Sequence, residues 1–247
     1  MLKPFQADLH IHTCLSPCSE LDMNPREIVD RARQRGLDII AITDHNSAEN
    51  VEATCRAAQG TGITVWGGME ITSSEEVHVL ALFEGQEALR RMQDMVYEYL
   101  PSRENDEKFY GQQVIVNEFK EVMGFNRRLL IAATGLNAQR ILEAIASLGG
   151  ISMASHIDKQ AFSVLSQLGF IPEDLGFNAL ELSPNVSRAE AESRFALLKR
   201  FPWVSFSDAH HIMDIGRRTT TLLIKEPTLD EMRQALKDSG GRNVAWE

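Results

Sequence analysis

The stretch Asp8-Leu9-His10-Ile11-His12-Thr13 closes an apolar run that begins at Phe5, and its reading decides the fold. In an extended strand successive side chains point to opposite faces, so His10 and His12 project from one side while Leu9 and Ile11 face the other. Two imidazoles at that spacing can grip one metal ion. A solitary histidine beside an apolar run is more commonly a satisfied core residue than a ligand, but here the pattern recurs. Histidine or acid adjoins an apolar run at Asp44 and His45, at Glu70, at His78, at His156, and at Asp208 and His210.

Outward from that segment, helix and strand signals alternate. Asn24-Pro25-Arg26-Glu27 reads as an N-cap, a proline at the first helical position and a glutamate three residues past the cap, with Gly36 as the stop. Asp38 to Thr43 is continuously apolar at Ile39, Ile40, Ala41 and Ile42, as expected of a strand covered on both faces. Residues 47–60 read as a second helix and 63–68 as a strand ending at Glu70. Residues 77–83 form another strand, which carries His78 at its beginning, against the strand-end rule. Further strands are expected at 150–155, 179–183, 203–207 and 220–224, with helices capped by Ser187 and Thr228. Repeated β-α units favour a parallel sheet. Residues from the C-terminal ends of many strands converge only at the mouth of a closed one, so the expected fold class is α/β, a TIM-like barrel.

Residues 84–149 interrupt the alternation with charge-rich helical sequence, broken at Pro101 and near Gly124 and Gly135. Leu89, Met92, Met95, Val96 and Tyr99 stand at helical spacing, and 138–150 is a second helix with a glycine stop. The segment reads either as a packed helical insertion with the methionines as core, or as a cap over the barrel mouth. With 247 residues and 43% hydrophobic content, one domain over 1–247 is the simplest organisation.

The charge, 25 basic against 35 acidic residues for a net −10, argues against a broad electrostatic grip on duplex nucleic acid or anionic membrane. A small anion held by metal is still allowed. No apolar stretch approaches the length of a membrane span, and MLKPFQADLH lacks the apolar core of a signal peptide, so a cytoplasmic protein is expected. Three cysteines make no disulfide framework. Cys14 and Cys18 have no second ligand pair for a structural zinc knuckle. Cys18, on the loop leaving the first strand, reads equally as a thiolate within reach of a metal and as an ordinary loop cysteine.

Taken together, these residues make the chain resemble the PHP family, the polymerase and histidinol phosphatase domain, and more narrowly its free-standing metal-dependent phosphoesterases. The resemblance runs through DLHIHT at 8–13, ITDHN at 42–46, GGMEI at 67–71, VHVLALF at 77–83, SHID at 155–158 and SDAHH at 207–211, and leaves out the middle segment. It implies a distorted (β/α)7 barrel holding two or three divalent ions, zinc, manganese or iron, at its C-terminal mouth. It implies that His10, His12, Glu70 and Asp208 hold one metal, and that Glu70 bridges to a second held by His78 and His156. A third would use His45 and His210, with Cys18 standing where relatives commonly place histidine or aspartate.

Two such ions lower the pKa of a bridging water and stabilise attacking and leaving oxygens, so a metal-bridged hydroxide is the expected nucleophile for a phosphate mono- or diester. Glu70, Asp208 and His210 form the expected catalytic set. Asp44 joins it, either as an acceptor orienting a ligand histidine or as a ligand. His210 or a water on a third metal would protonate the leaving oxygen, and His211 is a bystander. Candidate phosphate-binding cations are Arg217, Arg218, Lys159 and Arg188. Arg217 leads because similar proteins place a basic residue in an IGR-like segment after the last acidic ligand. The expected partner is a small phosphorylated substrate, a nucleotide or short oligonucleotide included. Two rivals stand: an amidohydrolase, which often uses a bridging lysine where this chain offers Glu70, and a non-catalytic metal-binding regulatory module, in which site residues should be missing.

Overall fold

Asn24 accepts a hydrogen bond from the Glu27 amide at 3.1 Å, with Pro25 at the first helical position, and so opens the first helix of the chain as its sequence dictates. The structure is a computed structural model and describes residues 1–172 and 175–247. In chain order its elements are β1 (Lys3–Ile11), α1 (Pro25–Gln34), β2 (Ile39–Ile42), α2 (Val51–Ala57), β3 (Thr64–Thr72), β4 (His78–Phe83), α3 (Gln86–Tyr99), α4 (Glu107–Tyr110), β5 (Val114–Val116) and β6 (Val122–Phe125). They continue with α5 (Ala138–Ser147), β7 (Ile151–Ala154), α6 (Val164–Leu168), β8 (Ala179–Leu182), α7 (Arg188–Arg194), β9 (Trp203–Ser205), β10 (Thr220–Ile224), α8 (Leu229–Ala235) and β11 (Asn243–Ala245).

Among the described residues nine strands make one sheet in the order β11-β10-β1-β2-β3-β4-β7-β8-β9. The fold is α/β, a nearly closed TIM-like barrel. Its seam is held by side chains. Thr220 Oγ1 accepts from Ser205 N at 3.0 Å and donates to Ser205 O at 2.9 Å, and the Trp246 indole donates to Trp203 O at 3.1 Å.

The sheet is not wholly parallel. β1, β2 and β3 run parallel, as do β7, β8 and β9, but β4 is antiparallel to both its neighbours and β10 is antiparallel to β1. This resolves the position of His78. Because β4 runs backwards, its first residue pairs with Thr72 at the end of β3 and stands at the mouth.

Alternate residues fill the barrel. Leu9, Ile39, Ala41, Trp66, Leu80, Leu82, Met153, Val204 and Phe206 share one buried cluster with Leu229, Met232 and Ala235 of α8. The other residues of the strands, among them Ile40, Ile42, Met69, Ile71, Val79 and Leu180, pack outward against α1, α3 and α5. α8 lies at the end opposite the mouth, where Leu229 N donates to Glu84 after β4 and Arg233 donates to Gly149 before β7. β1 departs from strict alternation. Its register against β2 shifts between Asp8 and Ile11, Leu9 joins the interior cluster while Ile11 joins the outer one, and His10 and His12 both reach the mouth.

Two segments differ in detail from their sequence signals. The helix expected over 47–60 begins only at Val51, since Asn50 is engaged elsewhere: its amide donates to Val114 O at 3.0 Å and accepts from Val116 N at 3.0 Å. Between α3 and α5, residues 84–149 also carry the β5–β6 hairpin. Leu89, Met92 and Val96 of α3 and Ile141 and Ile145 of α5 are core, while Met95 and Tyr99 are half-buried against it. The stretch around Ile131 nevertheless reaches the mouth, held there by the Asn46 amide, which donates to Leu130 O at 2.7 Å and Ala132 O at 2.9 Å.

Candidate metal centre

The centre forms where strands leave the barrel and the backbone must turn. Beyond Ile11, β1 pairs with the segment after β9: His12 N donates to Ala209 O at 3.0 Å and Ala209 N to His10 O at 3.2 Å. That pairing sets Asp208 beside both histidines. The chain after β2 pairs with β3, as Glu70 N donates to Asp44 O at 3.0 Å, and this sets His45 beside Glu70. His156 and Asp208 leave their strands in the left-handed region, with φ of 29° and 50°. Strained backbone at non-glycine residues of this kind concentrates at functional sites.

Glu70 is the hub. Its Oε1 lies 3.0 Å from His78 Nδ1, 3.2 Å from His156 Nε2 and 3.4 Å from His10 Nε2. Its Oε2 lies 3.2 Å from His45 Nδ1 and 3.5 Å from His12 Nε2. Asp208 Oδ1 stands 3.4 Å from His10 Nε2 and 3.6 Å from His12 Nε2, and His210 stacks on His12 with ring centroids 4.2 Å apart. All but His210 are buried. Among the described residues three overlapping sets have the spacing of metal ligands: His10, His12 and Asp208; His45, Glu70 and His78; and His12, His45 and His210.

Burial raises a carboxyl's pKa, yet His78 and His10 hold Glu70 well below its usual range, and His10 and His12 do the same for Asp208. Burial, reinforced by His210, pushes His12 down to about 3, and burial with His12 close by pushes His45 well below its ordinary value. Against burial, Glu181, Asp208 and Glu70 hold His10 well above. The ionised carboxylates and the neutral His12 and His45 imidazoles are in the forms that bind metal, whereas His10, held cationic by its carboxylate neighbours, would release a proton as an ion took its place. The ring nitrogens His45 Nδ1 and His78 Nδ1 are buried and aimed at Glu70 without making a hydrogen bond. Such orphaned atoms demand an explanation, and a divalent cation between imidazole and carboxylate fits them.

The far sides of the rings are fixed. His10 Nδ1 meets Glu181 at 2.9 and 3.0 Å, which leaves Nε2 facing the centre. His12 Nδ1 meets Ser16 Oγ at 3.1 Å, and that hydroxyl donates to Asp44 Oδ1 at 2.7 Å. Asp44 also accepts from the Thr13 amide and hydroxyl at 2.7 Å each, so it stands behind His12 and belongs to none of the three sets. Burial pushes its pKa up to about 6. His210 Nδ1 meets Asp208 O at 3.0 Å. Partners of this kind set tautomer and ring orientation in metal sites. Sequence reasoning missed Glu181 and Ser16. Glu181 had a signal, an acid inside the apolar strand Ala179–Leu182, whereas Ser16 had none.

A cavity of about 610 Å³ opens over the cluster, lined by His45, Glu70, His78, His156, Asp208 and His210, and at its rim by Cys18, Ile131, Lys159, Gln160, Ala161 and Phe162. Cys18 therefore reaches the wall but is in none of the three sets. It is exposed at the rim, where partial desolvation and then Glu70 push its thiol up. Of the four candidate cations, Lys159 is at the mouth, paired with Asp208. The other three are placed away from it. Arg217 donates to Ser207 O at 3.1 Å, and with Arg218 lines a separate depression beside Gln6 and Trp246. Arg218 donates to Pro184 O at 3.0 Å, and Arg188 pairs with Glu192 over the Trp203 and Trp246 rings. Backbone carbonyls and indole faces, not the mouth, occupy these guanidinium groups.

The model of the PHP domain matches residues 8–167, about two-thirds of the chain. The chain belongs to the PHP domain family. The match takes in His10, His12, His45, Glu70, His78 and His156 and stops before Glu181, Asp208 and His210. A 5'-3' exoribonuclease of Haemophilus influenzae is 23% identical over 188 residues, 60% of this chain and 68% of that protein. A phosphoribosyl 1,2-cyclic phosphate 1,2-diphosphodiesterase of Eggerthella lenta is 30% identical over 80 residues, 30% of this chain and 29% of that one. A solved lesion-specific endonuclease of Pyrococcus furiosus superposes with a TM-score of 0.76 at 21% identity, covering 98% of this chain and 58% of its own. This PHP chain thus spans little more than half the length of that endonuclease. Among its described residues, no helix is long and apolar enough to cross a membrane.

Proposed function

We propose that this PHP domain is a metal-dependent phosphoesterase acting on a small phosphate mono- or diester. One observation carries the reading: five imidazole nitrogens lie within 3.0–3.5 Å of one buried, ionised carboxylate, Glu70, with Asp208 completing the set. His10, His12 and Asp208 would hold one ion, Glu70, His45 and His78 a second, and His156 approaches the latter through Glu70. His12, His45 and His210 have the spacing for a third. Imidazole and carboxylate donors suit zinc, manganese or iron. Such ions, when bound, lower the pKa of water toward neutrality and neutralise phosphoryl oxygens.

The remaining work falls to this chain's own side chains. Glu181 and the Ser16–Asp44 pair hold His10 and His12 so that each presents Nε2. Lys159 is the one lysine or arginine among the residues lining the mouth, and with Asp208 engaged by an ion its ammonium would be free to meet a phosphate oxygen. His210 donates a hydrogen bond from Nδ1 to the Asp208 carbonyl, and burial pushes its pKa down, so it would serve as a ligand better than as a general acid. The relatives named as a diesterase and an exoribonuclease cleave phosphoric esters, in keeping with this chemistry. An amidohydrolase is disfavoured because Glu70, not a lysine, occupies the bridging position.

Exhaustive chelation tests the reading. Release of para-nitrophenolate from para-nitrophenyl phosphate and bis-para-nitrophenyl phosphate is expected to vanish on chelation and return with manganese or zinc. Activity that survives without metal rejects the mechanism, and hydrolysis of amides or lactones in its place selects the amidohydrolase.

A further inference from the structure

We propose that Phe162, with Gln160 and Ile131, forms a shelf on which a nucleobase stacks, making the site selective for nucleotide-type esters. The inference rests on the phosphoesterase reading and adds what lies beyond the phosphate. A phosphate needs cations and donors, yet much of the rim is apolar: Phe162, Ile131 and Ala161 stand over the histidines. The cavity of about 610 Å³ is several times larger than a phosphate and suits a ligand with an organic body.

Phe162 is the unusual residue. Its φ of 58° is a conformation that a bulky side chain rarely adopts, and the residue remains 39% exposed. Strain of this kind persists only where the surroundings over-determine it, and here three contacts do so. The Phe162 carbonyl accepts from His78 N at 2.9 Å, its ring stacks on His78 at 4.6 Å and 18°, and the next residue, Ser163, caps α6. If apolar burial were the only need, the ring would turn into the core. Instead it is fixed at the pocket rim, one ring from a nitrogen that faces Glu70. A base on this shelf would be joined to a phosphate at the metal centre by the length of a sugar. Aromatic faces bind bases by stacking with little regard to sequence, and the Gln160 amide can both donate to and accept from a base edge. With Lys159 the one lysine or arginine among the lining residues, the mouth fits one phosphate and one base better than a long polyanion.

The test is equilibrium titration of the manganese-loaded protein with three probes that are not hydrolysed: inorganic phosphate, and the methylenephosphonate analogues of ribose 5-phosphate and of AMP. The adenosine analogue is expected to bind about tenfold or more tightly than the ribose analogue. Phe162→Ala should abolish that advantage while leaving phosphate and the ribose analogue within about twofold, and Phe162→Trp should keep it. Equal binding of the two analogues by the unaltered protein overturns the shelf, as does an advantage that survives Phe162→Ala. An equal loss for all three probes in Phe162→Ala also overturns it, since the residue would then only support His78. If none of the probes binds the unaltered protein, the phosphoesterase reading fails and takes the shelf with it; failure of the base-dependent difference alone removes only the shelf.

Discussion

The two ends of this barrel are built on the same strands and do opposite things. On β3 the inward residues pass from Trp66 to Glu70, on β4 from Leu82 to His78, and on the chain through β9 from Phe206 to Asp208. At the closed end these side chains pack against Leu229, Met232 and Ala235 of α8. At the open end, a few residues along, the same faces carry imidazoles and carboxylates whose pKa values are driven apart by burial and by each other. Stability is concentrated where the strands meet apolar partners, and chemistry where they run out of them.

Substitutions should therefore separate the two ends. The largest effect is expected at the hub: Glu70→Gln should lower phosphoester turnover of the folded protein by more than about 100-fold, and should also lower the midpoint of urea unfolding in the metal-free state, because the depressed carboxyl and its buried imidazole partners stabilise each other. A large stability loss with activity retained would erase the distinction. At the other end, Trp66→Ala should cost about 3–5 kcal/mol in urea unfolding, from its lost volume, while the folded fraction keeps its turnover.

A smaller effect sharpens the boundary. Glu181→Gln, behind His10, should weaken metal affinity by about 10–100-fold without removing a ligand, read by competition with a chelator of known affinity. The smallest concerns the closed end alone. Glu231 accepts from Lys225 N at 2.7 Å and from the Arg242 guanidinium at 2.7 and 2.8 Å, and these partners hold its carboxyl down at about 2 from a usual 4.5. A depressed carboxyl contributes stability that is present above about pH 4.5 and lost as pH falls toward 2. Glu231→Gln should reduce that acid-side loss in a thermal melt series while phosphoester turnover at neutral pH is unchanged.

Much of this was legible from sequence because strand ends carry their chemistry in short runs. DLHIHT, ITDHN, SHID and SDAHH each put a candidate ligand at or just past the end of an apolar stretch, and the barrel brought them together. His78 looked misplaced only because sequence does not reveal strand direction. The rest failed for identifiable reasons. The β1 bulge that turns both Leu9 and His10 inward leaves no composition signal. Ser16 acts through a hydrogen bond whose far partner, Asp44, is 28 residues away. Arg217, Arg218 and Arg188 follow strand ends as a phosphate clamp would, but backbone carbonyls and tryptophan faces that are distant in sequence claim them.

Anomalous X-ray diffraction from crystals grown with manganese tests the central claim most directly. At least two peaks are expected on either side of the Glu70 carboxylate, about 3.5–4 Å apart, with His10, His12 and Asp208 around one and His45 and His78 around the other. A mouth without an anomalous peak, or manganese bound only at surface acids, would contradict it.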